Sequence, residues 1–479
     1  MPLGHLREPH VAPGAAVTPV LRQTGDVSRL QASGGADVLG IPATRLPRIE
    51  GWRDDFAARP LTALAAAITP AEPVATRTVP LPRGAKTLEL PLAARGRPLA
   101  MRATIRLGNG DYAFVRLGET PSGAHMVLRG PLPSDARSLL GLSFGQLNGG
   151  RRSANAGTGL QPTSNGRILL GRPRAGGRAI RVDWSQWIGV GGVATRAAGD
   201  VRYALTSDVE SGIRVRQATD DVPVAAIVSP ALAAAAADDG TLPFDVAGER
   251  ILLRVAAVAD RFPGTTRGDF VVADEGALAT ALDAASPGVG RANERWIDVP
   301  PAARAAAARA HARPPFDVTL VASRAAVERE LRGDPLARGV LIVLGGTALV
   351  ALLLALAGIA LVVVGDARDE RGDLFDLETQ GAEPRLLRRQ LRLRTLTVVL
   401  VGAAGGAVTG AILGVLVLDV VRVTAAAAAP EPPLALVVDP RVVVVALAAF
   451  AALAALVVVA AGAVAYRADS AGRFREAGA

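Results

Sequence analysis

Residues 339–364 read GVLIVLGGTALVALLLALAGIALVVV, without one charged side chain. A bilayer core is ~30 Å thick, and a helix crosses it in about 20 residues. This run is long enough to span with some tilt. Two further runs follow, from about Thr395 to Leu418 and from Val442 to Tyr466, also uncharged inside. Three such runs so close together exceed what the buried helices of a soluble core explain. The expected fold class is a membrane protein. Its three C-terminal transmembrane helices, at about 339–364, 395–418 and 442–466, follow extracytoplasmic β-sandwich-like and α+β domains.

Arginines set the expected orientation, because Lys and Arg gather on the cytoplasmic side. The segment 365–394 carries Arg368, Arg371, Arg385, Arg388, Arg389, Arg392 and Arg394, and the tail adds Arg467, Arg473 and Arg475. The connection 419–441 has only Arg422 and Arg441. The 365–394 loop and the C-terminus are therefore expected in the cytoplasm. The large N-terminal region is expected outside a plasma or inner membrane. Met1 to Leu30 lacks the ordered parts of a signal peptide. An upstream helix, on a longer chain or a companion chain, is the expected resolution.

Composition narrows the chemistry. The chain has 479 residues, a net charge of +9 and no cysteine, and Lys86 is its only lysine. Disulfides, thiolate metal sites and thiol nucleophiles are excluded. The four histidines, His5, His10, His125 and His311, are not at ligand spacing, and no metal or cofactor is expected. Aromatics are few and no basic stripe is interleaved with stacking residues, so no nucleic-acid partner is expected.

Taken in order, residues 1–85 read as a poorly defined extracytoplasmic segment. Within it, Asp37 to Pro42 suits a short strand and turn, Gly51 to Phe56 a short helix, and Pro70 to Pro82 a linker. Residues 86–215 show short alternating runs punctuated by turn residues such as Gly108-Asn-Gly-Asp111, the pattern of an antiparallel sandwich. Trp184 and Trp187 suit either core packing or a sugar-stacking platform. In 216–335 strands and helices alternate, which predicts an α+β domain. Strands are expected at Val222 to Val228, Ile251 to Ala257, Arg295 to Val299 and Asp317 to Ala322. Helices are expected at Glu275 to Ala285 and Pro300 to Ala312, with Ser323 capping a last one. Residues 336–470 form the membrane unit, and 471–479 a cytoplasmic tail.

Two patterns in that unit invite a functional reading. Gly402, Gly406, Gly410 and Gly414 recur every fourth residue and form one stripe on the second helix. Such stripes let backbones approach closely in lipid. The partner is either helix one or three of this chain, or a helix of a second chain. The loop has an acidic half, Asp366 to Gln380, interrupted by Leu374, Phe375 and Leu377. Its basic half, Arg385 to Arg394, suits contact with anionic membrane lipids. Lipid would repel the acidic half, whose short amphipathic helix suits the groove of a soluble partner.

The order of parts resembles the FtsX-like permease family of ABC transporters, the macrolide-export and lipoprotein-release type. The resemblance rests on Asp334-Pro-Leu-Ala-Arg-Gly339 leading into a helix. It rests also on Arg371-Gly-Asp-Leu-Phe-Asp-Leu-Glu-Thr-Gln-Gly-Ala382 followed by Arg388-Arg-Gln-Leu391, and on the Gly/Ala-rich second helix, outside loop and third helix. It covers residues 334–470. Arg261-Phe-Pro-Gly264 and Trp296 are similar to the family's extracytoplasmic domain. The resemblance implies no catalysis in this chain and a separate ABC-type ATPase as partner. Asp373, Leu374, Phe375, Leu377, Gly381 and Ala382 are, by position, the expected ATPase contacts.

Enzyme motifs are weak. No P-loop pattern occurs. Gly141-Leu-Ser143-Phe-Gly145 matches G-x-S-x-G but is followed by turn residues, not the helix a nucleophile elbow needs. Two functions remain. One is a permease subunit coupling ATP hydrolysis to export, extraction or mechanical signalling. The alternative is a membrane-anchored surface protein whose β-rich domain binds glycan or protein.

Overall fold

The structure, a computed structural model, describes residues 15–27, 35–120, 123, 125–146, 164–196, 199–205, 211–314, 316, 320–333, 335–369, 384–420 and 438–476. The chain forms two compact units, Met1–Val321 and Ala322–Ala479.

The first unit opens with β1 (Ala16–Asp26), β2 (Ala36–Ile41) and helix α1 (Leu61–Ile68). A run of strands follows: β3 (Val79–Pro80), β4 (Thr87–Gly96), β5 (Leu99–Leu107), β6 (Tyr112–Glu119), β7 (His125–Pro131) and β8 (Ala136–Gln146). It continues with β9 (Ser164–Leu170), β10 (Arg174–Ala175), β11 (Arg178–Ala179), β12 (Trp187–Val190), β13 (Val193–Arg196), β14 (Asp200–Leu205) and β15 (Ser211–Val215). The chain then returns through β16 (Val224–Val228), α2 (Pro230–Ala234), β17 (Thr241–Val246), β18 (Glu249–Val258), β19 (Phe270–Asp274), α3 (Glu275–Ala285), β20 (Glu294–Asp298) and α4 (Arg304–His311).

The pairing makes this a base with an insert. The base sheet runs β17-β18-β16-β19-β2-β1-β20. Its inner strands are apolar on both faces, as strands covered by helices on both sides must be. All six residues of β2 are buried. Alternation sends Val38, Ala226, Val228, Val271 and Ala273 into the core that includes Leu278 and Leu282 of α3. Leu39, Ile41, Ile227, Phe270 and Val272 enter a second core with Leu61, Leu64 and Ile68 of α1. Helices α3 and α1 thus cover opposite faces of the sheet, and β1 also pairs with β17, which curls the sheet back on itself.

Residues 1–85 thus hold more than the sequence reading assigned them. β1 and β2 are integral to the base: β2 pairs in parallel with β19, and β1 pairs with β20. Their partners lie more than 200 residues downstream, and no local pattern announces such pairing. The base is discontinuous, so the expected boundary at 216 separates only its second half. Gly264 lies at φ +82° under the Trp296 ring, where a side chain would be strained. Arg22 Nη1 donates to its carbonyl at 2.9 Å, which ties the Arg261–Gly264 turn to β1.

The insert is a sandwich of two antiparallel sheets, as the alternating runs suggested. One runs β12-β15-β8-β5-β6 with β3 on β8, and the other β11-β10-β4-β9-β14-β13 with β7 on β4. They close over a single apolar core that includes Leu90, Met101, Ile105, Phe144, Ile168 and Tyr203. No strand forms from Ile180 to Trp184. Asp183 caps a short 3-10 turn at Trp184–Gln186 instead.

The second unit holds α5 (Arg324–Gly333), α6 (Pro335–Asp369), α7 (Pro384–Val420) and α8 (Pro440–Glu476). Ser323 Oγ accepts from Ala326 N at 3.1 Å, the expected cap. The expected strand Asp317 to Ala322 lies partly outside the described residues, and 320–322 carry no strand. Among the described residues two segments are long and apolar enough to cross a membrane, Arg338–Gly365 and Pro440–Ala461. The expected second span lies in α7, where the apolar stretch among the described residues is Val399–Gly414.

Candidate functional site

Two places have the chemistry of a working part: the glycine face of α7, and the joint between base and insert.

Gly402, Gly406, Gly410 and Gly414 share one face of α7, since residues four apart on a helix stack above one another. A methyl group built on any of them would meet nothing within 4 Å. Helices α6 and α8 of this chain therefore do not fill the face among the described residues. Asp373, Leu374, Phe375, Leu377, Gly381 and Ala382 lie outside the described residues.

At the joint, the tip of the β5–β6 hairpin meets the C-terminal end of α3. The turn Gly108-Asn-Gly-Asp111 positions Tyr112, whose hydroxyl donates to Asp283 Oδ2 at 3.0 Å. The other carboxylate oxygen of Asp283 accepts from Gly288 N and Gly290 N, each at 2.9 Å. Asp111 of the insert pairs with Arg291 of the base. Burial pushes the Asp283 carboxyl above the usual carboxylate range, although the two amides and the Tyr112 hydroxyl oppose the shift. Burial also raises the Tyr112 phenol, and the Asp283 charge adds to the effect.

Gln217 closes the joint where the two connecting segments run side by side. Its fully buried amide accepts from Arg77 N at 2.6 Å and donates to Arg77 O at 2.9 Å. Asp220 caps the same turn by accepting from Gln217 N at 2.6 Å. Removing the amide takes a partner from three backbone groups, Arg77 N, Arg77 O and Val215 O. Gln217→Ala is expected to cost about 2 kcal/mol, measured as a lowered denaturant midpoint at an unchanged slope.

The other sequence candidates do not form a catalytic group. Ser143 sits in the middle of β8, opposite Gly212 of β15 and Arg102 of β5, far from a strand-to-helix elbow. His311 Nδ1 lies 2.8 Å from the Ala307 carbonyl of its own helix. Trp184 and Trp187 pack ring to ring at 4.9 Å, with Trp187 in the insert core. Among the described residues no cluster of three or more His, Asp or Glu side chains is arranged to hold a metal. Asp283, Tyr112 and Gln217 were not singled out in the sequence. The turn before Tyr112 was readable, but not what its tip would touch.

No protein-family model matches the chain, and no curated protein matches it in sequence.

Proposed function

We propose that the chain is the permease subunit of an ABC-type transporter, of the FtsX-like kind. It would sit in the cell membrane through three helices, with base and insert outside and the C-terminus in the cytoplasm. A separate ATPase would supply the energy. The observation that carries this reading is the glycine face of α7, uncovered among the described residues. A helix serving only as anchor has no use for four glycines in register, whereas a second permease chain does. Two apolar segments with almost no buried residues, Arg338–Gly365 and Pro440–Ala461, support a lipid surrounding. The doubly tied joint suits a part that passes motion from base to insert.

The test is to solubilise the protein from its native membrane in mild detergent and identify what co-purifies. An ATP-binding cassette subunit is expected. It should be lost when Leu374, Phe375 and Leu377 are changed to Asp, because burying three carboxylates in an apolar groove costs several kcal/mol each. Purification without an ATPase, but with glycan retained by the β insert, would overturn the reading in favour of an anchored binding protein.

A further inference from the structure

The outward face of the β7-β4-β9-β14-β13 layer carries a pattern that the sequence hides. Arg95 stands opposite Arg167, and Arg167 opposite Arg202, on three adjacent strands. All three are exposed, and neighbouring strands lie about 4.8 Å apart. Like charges directly opposite one another oppose sheet formation. Within this row only Arg167 is ion-paired among the described residues, to Asp200 at 2.7 Å. Arg196 stands opposite Asp200 on the next strand. At the far side of the face, Arg129 and Arg174 flank Glu89 across β7 and β10. Six guanidinium groups thus share this face with the carboxylates of Glu89 and Asp200.

Between the two arginine rows runs an aliphatic band. Val127 stands opposite Pro91, and Ala93 opposite Leu169. Val127 is 44% and Leu169 45% exposed. Among its described residues the face has no Trp, Tyr or Phe to stack on a sugar or a base.

We infer that this face docks on an anionic lipid surface. The arginines match acidic headgroups, each contact adding to the attraction near a negatively charged leaflet. The aliphatic band matches the headgroup–acyl boundary, where an interfacial surface buries its apolar part. A soluble polyanion would use the arginines and leave the band in water. The inference does not rest on the permease reading, since an anchored surface protein would present the same face.

The test uses the full chain in nanodiscs of zwitterionic phosphatidylcholine and measures capture of fluorescent vesicles. Vesicles with about 30 mol % phosphatidylglycerol should be captured, and pure phosphatidylcholine vesicles should not. Combining Arg95→Glu, Arg167→Glu and Arg202→Glu should weaken capture roughly 100-fold. Combining Val127→Ser and Leu169→Ser should weaken it about tenfold. Arg95→Gln with Arg202→Gln breaks no ion pair of the row, so it reports on the face should the triple variant fail to fold. Combining Arg102→Glu, Arg116→Glu and Arg250→Glu alters net charge equally on other surfaces and should leave capture within about threefold. Equal capture of both vesicle types, no capture, or equal loss in this control would overturn the proposal. So would tight binding of soluble polyphosphate that displaces the vesicles and ignores the serine variants; that result would assign the face to a polymer.

Discussion

Replacing Phe270 by alanine is expected to melt the α/β base while leaving the core of the β insert standing. Phe270 is 1% exposed on β19, between β16 and β2. Its ring lies 6.2 Å from that of Phe262, in the core shared with α1. Truncating a buried Phe costs about 3–5 kcal/mol, the lost transfer energy plus the cavity left behind. A domain has only about 5–15 kcal/mol to lose. The base transition should fall by on the order of 10–20 °C. The insert has its own core, which Phe270 does not touch. The four tryptophans separate the signals. Trp52 and Trp296 report on the base, Trp184 and Trp187 on the insert. With Trp52 and Trp296 changed to Phe, the remaining fluorescence should keep its original midpoint. Loss of both signals at one lowered temperature would show that the two cores are not separate.

Asp283→Ala is expected to cost about 3 kcal/mol, because three donors lose their acceptor inside the joint. They are Gly288 N, Gly290 N and the Tyr112 hydroxyl. Asp283→Asn keeps an acceptor for the two amides and removes a buried charge, so it should stay within about 1 kcal/mol of the wild type. Its effect appears in the pH dependence. Burial holds the folded-state pKa of Asp283 above its unfolded value. The folded chain therefore binds this proton more tightly than the unfolded one. The corresponding stability is complete below the unfolded value of about 3.9 and is lost as pH rises through the folded value. Glu275, raised by burial and then by Asp274 and Asp283, acts in the same direction. Unfolding midpoints measured from acid to neutral pH should thus decline less steeply in Asp283→Asn than in wild type. Identical profiles would rule out the raised carboxyl. The alanine variant should also loosen the insert on its base. Since the chain has no cysteine, two introduced thiols, one on each part, can carry distance labels. The alanine variant should broaden their distance distribution.

Local features were legible in the sequence. Glu275–Ala285 forms at its expected bounds because Asp274 accepts from Ala277 N, a cap that needs no distant partner. The strand at Ile251 was readable from its alternation, and the alternating runs of 86–215 announced a two-sheet sandwich. The base was only half legible. Asp37 to Pro42 was readable as a short strand, but its place between β19 and β1 was not. The glycine stripe was evident by spacing, yet only the structure leaves it without a neighbour among the described residues.

What the sequence determined by itself was whatever depends on a short window: the apolar length of 339–364, the turn chemistry of Gly108-Asn-Gly-Asp111, the cap at Asp274. The tertiary structure decided what depends on register between distant strands. Arg95, Arg167 and Arg202 are lone arginines in the sequence and one row in the sheet. Asp283 and Tyr112 stand 171 residues apart and share a hydrogen bond. Spacing along a chain sets which side chains share a helix face. Strand register sets which of them meet across a sheet, and burying one face of every strand at once selects that register.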